Sequence, residues 1–174
     1  MGKEIDILKS KLAELEKENE TLKNILFGKK NSIRESISKL LIVEGSHEKN
    51  FFEKWLESFK IDDIQIMDIG GKYIFNNYLE DLVRQANFRN VISMLITRDA
   101  DNNSSSAFDS VKGALESVGL PCPESAWTFT KNTIPRVGIA ILPGDSKIGA
   151  LEELLLQTID KDPMSVKAHN FINE

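Results

Sequence analysis

Carboxylates follow three apolar runs of this sequence: Glu44 closes KLLIVEG, Asp99 and Asp101 close NVISMLITRDAD, and Asp145, Glu152 and Glu153 come after RVGIAILPGD. A charge at the end of an apolar run is costly unless something compensates it, so either the strand end reaches solvent or a cation stands there. Two acids at i and i+2 of an extended strand end project to one face and repel one another, which predicts that Asp99 and Asp101 share a cation. Hard oxygen ligands suit Mg²⁺ or Mn²⁺, which keep waters and take further coordination from a phosphate. Taken singly, Glu-Gly is an ordinary turn, DAD an ordinary loop, and GALEE a helix start favoured by its dipole. The ordered set, one at each of three strand ends, is the argument.

Neighbouring residues add to that chemistry or stand aside from it. Lys147 either neutralises a phosphate, as a nuclease lysine does, or is a solvated loop residue, and Arg98 either contacts phosphate or balances the acids. His47 falls in a first helical turn and is expected to be exposed, while Gly70 and Gly71 form the turn that closes a strand. Trp127 and Phe129 are expected in the core, since nothing basic interleaves them as in a base-stacking surface.

Positioning these residues requires strands that alternate with helices. KLLIVEG suits a buried parallel strand, SHEKNFFEKWLESFK a helix, and DIQIMDIGG a strand that alternates apolar with polar residues. IFNNYLEDLVRQANF, SAFDSVKGALESVG and GALEELLLQTID read as helices, and NVISMLITRDAD, AWTFTKN and RVGIAILPGD as strands. The alternation predicts an α/β fold: a mostly parallel, Rossmann-like sheet flanked by helices, with ligands gathered beyond the carboxyl ends of the strands.

With LIVEG after the first strand, TRDAD after the third and ILPGDSKIGALEELL after the last, the chain resembles the Toprim domain, and within it the small stand-alone members and the domain of overcoming-lysogenization-defect (OLD) nucleases. The resemblance covers about residues 39–160. It implies that Glu44 is the general acid/base or metal-ligating glutamate and that Asp99 and Asp101 hold Mg²⁺. Glu48 stands where OLD-like members carry an Asp, and Glu152 matches the acid of their Gly-x-Leu-Glu element, so the pair would serve a second ion. The implied activity is a metal-dependent phosphodiester hydrolase on nucleic acid, DNA foremost, with Glu44 and Lys147 as catalytic residues. OLD nucleases carry an ATPase domain ahead of this one, so an ATPase is the expected partner if ATP is involved. The contrasting expectation is a non-catalytic module that dimerises and docks on such a partner.

The N-terminal segment has its own pattern. Ile5, Leu8, Leu12, Leu15, Leu22 and Leu26 follow a heptad seam with Asn19 at an a position, and the pairs Glu4–Lys9, Lys11–Glu16 and Glu18–Lys23 attract in a parallel homodimer through residues 5–26. The expected organisation is a coiled-coil helix over 1–30, a joint over 31–38, a Toprim-like α/β domain over 39–162 and a tail over 163–174. Residues 1–30 hold 7 Lys and 6 acids, which leaves 15 basic and 21 acidic residues in 31–174. So acidic a domain is a poor passive binder of polyphosphate, unless divalent cations reverse the local sign. The single Cys122 forms neither an intramolecular disulfide nor a multi-cysteine zinc site. No apolar run approaches the roughly 20 residues that span a membrane, and no secretory signal pattern is seen, so a cytoplasmic location is expected.

Overall fold

The computed structural model describes residues 9, 11–12, 14–15, 32–71, 74–144, 147–159 and 162. Of the expected coiled-coil seam only Leu12 and Leu15 are among them, both helical and exposed. The rest of that expectation, the tail over 163–174 and Asp145 lie outside the described residues.

Residues 33–174 form one compact unit. Its described strands are β1 (Lys39–Val43), β2 (Ile64–Asp68), β3 (Ser93–Asp99), β4 (Thr128–Phe129) and β5 (Arg136–Leu142). Its described α-helices are α1 (Ser46–Ser58), α2 (Phe75–Arg84), α3 (Ser104–Ser117) and α4 (Leu151–Ile159). The sheet runs β2-β1-β3-β5-β4, parallel apart from the antiparallel β4. The fold is therefore α/β with a mostly parallel sheet, compatible with a Rossmann-like arrangement.

Alternation along β1 sends its residues to two covered faces, which is why the run is apolar throughout. Leu41 and Val43 pack with Phe52 and Leu56 of α1 and with Ile66. Leu40 and Ile42 face the other way, in register with Met94 and Ile96 of β3, and all four are buried. On that second face Ile141 of β5 lines a cleft with Ser104, Ser105 and Phe108 of α3. Asn103 caps α3, its side-chain oxygen accepting from the Ser106 N–H at 2.9 Å.

Two expectations fail here for identifiable reasons. The alternation expected in β2 is absent: Gln65 and Asp68 are buried beside Ile66 and Met67. Ile33 and Ile37 are themselves buried, and the Gln65 Oε1 atom accepts from the Arg34 backbone N–H at 2.9 Å, so the segment before β1 covers β2's polar position. Trp127 and Phe129 are not core: they are 48% and 37% exposed, because β4 is a two-residue strand on the sheet's edge. Beyond it Thr130 continues the pairing with Val137 in another form. Its N–H donates to the Val137 carbonyl and its hydroxyl accepts from the Val137 N–H, both at 2.9 Å.

Candidate functional site

Parallel strands that end together bring their following residues to one edge, and β1, β3 and β5 do so here. Continuing the β1–β3 register by two residues sets Glu44 beside Arg98, on the face covered by α3. The Arg98 Nε atom lies 3.1 Å from the Glu44 Oε2 atom, a charge pair whose two atoms are buried and make no hydrogen bond of good geometry. The Arg98 Nη1 atom is also buried without a hydrogen-bond partner. Arg98 thus balances an acid, one of its two expected roles. Burial pushes the Glu44 carboxyl upward, Arg98 pulls it down, and Asp101 and Glu48 push it up again.

Asp99, one residue further along β3, projects to the opposite face, the one covered by α1. One of its oxygens, Oδ1, accepts from the Leu151 backbone N–H at 3.1 Å, so Asp99 anchors the start of α4. Its carboxyl is pushed up to about 7, by burial first and then by Glu48 and Glu44, with Glu152 adding to the effect. Glu48 lies in the first turn of α1 and Glu152 in the first turn of α4. Three of the expected ligands, Glu44, Glu48 and Glu152, therefore act on the charge of a fourth, Asp99, and Glu48 acts on Glu44 as well.

Asp101 arrives by a different route from the one its spacing predicts. The strand ends at Asp99, and Asp101 takes a left-handed backbone conformation with φ 48°, so the i, i+2 alternation is broken between them. It instead exchanges two backbone hydrogen bonds with Gly149, at 3.0 and 2.7 Å, which ties the loop after β3 to the loop after β5. Its charge bears on Glu44. Gly149 has φ 116°, and a Cβ there would meet the Glu153 side chain at 2.9 Å. Glu153 accepts from the Ala150 N–H at 2.6 Å and so caps α4 rather than facing the other acids.

The remaining residues divide clearly. The Lys147 ammonium donates to the Gln157 side chain at 2.9 Å and is exposed, and His47 is exposed as expected. Gly70 and Gly71 both take positive φ, and the Gly71 N–H donates to the Glu44 carbonyl at 2.9 Å, which brings this turn to the same edge. Asp68, the buried last residue of β2, escapes the sequence pattern; its charge, with burial, raises the Tyr78 hydroxyl. The signal was an acid at another strand end, hidden by an apparent alternation. Gly149 escapes too, because a bridge between two loops leaves no periodic trace.

The donors are all carboxylate oxygens, a set that suits Mg²⁺ or Mn²⁺ in kind. Among the described residues no three His, Cys, Asp or Glu side chains converge as a ready-made metal-ligating group. The face alternation accounts for this: Arg98 holds Glu44 on one side of the sheet while Asp99 turns to the other. Among the described residues no helix is long and apolar enough to cross a membrane. A family model described as protein of unknown function (DUF3226) matches residues 38–174. No curated protein and no solved structure matches the chain.

Proposed function

The chain belongs to the DUF3226 family, whose description carries no activity, and we propose that it is a divalent-metal-dependent phosphodiester hydrolase of the Toprim kind, acting on nucleic acid. The observation that carries this reading is the gathering of Glu44, Glu48 and Glu152, from one strand end and two helix starts, within electrostatic reach of Asp99 at a second strand end, with the Arg98 guanidinium beside Glu44. Mutual repulsion of that kind is relieved by a cation. Glu44, Asp99 and Asp101 would hold Mg²⁺ or Mn²⁺ once Glu44 turns from Arg98 toward the other two, with Glu48 and Glu152 serving a second ion. Bound there, the cation would supply an activated water and stabilise the leaving oxygen of a phosphate.

The chain's own groups have definable parts in this. Asp99, with one oxygen held by the Leu151 N–H, keeps its carboxylate plane fixed relative to α4. Glu44, whose carboxyl is raised by burial and pulled down by Arg98, would serve as the general acid/base or as a metal ligand. Lys147, exposed and with one of its three donors on Gln157, would meet a phosphate with the others. Pairing of two copies through residues 5–26 and recruitment by an ATPase belong to the same proposal.

The test is a melting series with and without Mg²⁺ or Mn²⁺, run beside a nicking assay on plasmid and single-stranded DNA. The cation should stabilise the wild type by about 2.7 kcal/mol at a hundred times its dissociation constant. Glu44→Gln and Asp99→Asn should lose most of that gain, and Glu44→Gln should cleave nothing. Equal melting curves and no cleavage would overturn the proposal. The second reading, a non-catalytic module docking on a partner, is favoured by the Arg98–Glu44 pair, which neutralises the glutamate without a metal.

A further inference from the structure

Residues 127–136, WTFTKNTIPR, hold Trp127, Phe129, Lys131 and Arg136 and no acid, in a chain whose net charge is -5. All four are exposed. Their arrangement follows from one glycine. Phe129 pairs with Gly138 across β4 and β5, and a Cβ at Gly138 would stand 2.8 Å from a ring carbon, so the ring lies against the bare backbone. Arg136 is two residues before Gly138 on the same face of β5, and its guanidinium carbon lies 5.5 Å from the Phe129 ring centroid. A guanidinium held over a ring is pre-positioned, and its outer face offers both a flat surface and a charge. The Trp127 backbone is fixed by its main-chain N–H, which donates to the Ile139 carbonyl at 2.7 Å, while its indole remains half exposed.

We propose that Trp127 and the Arg136–Phe129 pair form a stacking site for unpaired nucleobases, with Lys131 and Arg136 meeting the adjoining phosphates. The ligand class is single-stranded nucleic acid, and the proposal rests on the hydrolase reading for its relevance to that site's substrate. Aromatic and guanidinium planes accept any unpaired base, whereas a duplex keeps its base faces covered. Position agrees with this. Asp99 pairs with Leu142 and Phe129 with Gly138, so the Phe129 ring is separated from Asp99 by two strand spacings and four residues along β5. That is about 16 Å, the length of about five stacked nucleotides. A local basic, aromatic surface also answers the acidity of the domain, which leaves non-specific attraction too weak to hold a strand.

The experiment uses the full chain with EDTA, so that binding is read without metal or cleavage, and a short oligothymidylate as probe. The chain has two Trp; in a Trp55→Phe background, Trp127 fluorescence alone reports on the site and should be quenched by the oligonucleotide. In the wild-type background, Trp127→Ala and Arg136→Gln should each weaken binding by about 5- to 100-fold. Arg136→Lys, which keeps the charge and loses the plane, should weaken it nearly as much as Arg136→Gln. An unquenched Trp127, equal affinity for duplex of the same length, an unchanged dissociation constant for Trp127→Ala, or full rescue by Arg136→Lys would each overturn the proposal. Trp127-dependent binding by a chain that cleaves nothing with Mn²⁺ would sink the hydrolase reading and leave the stacking site standing. Cleavage without Trp127-dependent binding would do the reverse.

Discussion

Asp99→Asn isolates the cost of crowding carboxylates at the sheet edge. The asparagine keeps an oxygen to accept the Leu151 N–H and removes the charge. The wild-type Asp99 carboxyl moves from 3.8 to about 7 through burial, Glu48, Glu44 and Glu152. Because the folded state keeps the proton to higher pH than the unfolded state, this group's contribution to stability is full below about pH 4 and is lost as pH rises through about 7. A shift of about three units corresponds to about 4 kcal/mol, and solvent screening of a half-buried group reduces this to about 2 kcal/mol. Urea unfolding in EDTA at stepped pH reads the effect. The stability of Asp99→Asn relative to wild type should rise by about 2 kcal/mol between pH 4 and pH 8. Adding Mn²⁺ at pH 8 should narrow the gap by stabilising the wild type. A difference that does not grow with pH, or a wild type that gains on the variant at pH 8, would refute the electrostatic account of Asp99.

Other substitutions test the supports of the site. Arg98→Met removes the guanidinium paired with Glu44 and strands the half-buried Glu44 charge; it should destabilise the chain by about 3 kcal/mol at pH 8 and by less at pH 4, in the same urea assay. Equal losses at both pH values would mean that the pair contributes packing alone. Gly149→Ala places a Cβ 2.9 Å from Glu153 at φ 116° and should lose about 1–3 kcal/mol. Hydrogen exchange should then show faster opening of the Asp101 and Gly149 amides, whereas unchanged protection would argue that the bridge does not depend on this glycine.

The strands were legible because their chemistry is local. Runs such as LLIV and MLI are apolar on both faces only when a sheet is covered on both, and the acids at the ends of β1 and β3 stand where the sequence puts them. Pair relations were not legible. That Arg98 meets Glu44, while Asp99 turns to Glu48 and Leu151, depends on the β1–β3 register and on which helix covers which face, and neither is written in any one segment. The Asp101 turn was missed because an i, i+2 spacing assumes an extended backbone, and the backbone changes hand at Asp101 itself. Trp127 and Phe129 were misplaced because aromatic residues signal a strand without saying whether it is central or at an edge.

The short β4 has a consequence for how chains meet in concentrated solution. An open sheet edge is a row of free N–H and C=O groups that a second chain can adopt as a template, the first step toward fibres. Along the outer side of β5 that template is already used up by dissimilar partners: the Val137 N–H goes to a threonine hydroxyl, the Val137 carbonyl to the Thr130 N–H, and the Ile139 carbonyl to the Trp127 N–H. Lys131 and Pro135 flank the same stretch, a charge that resists desolvation and an imide that cannot donate. A foreign strand finds no continuous ladder along β5, and only the two-residue β4 is left as an edge on this side of the sheet.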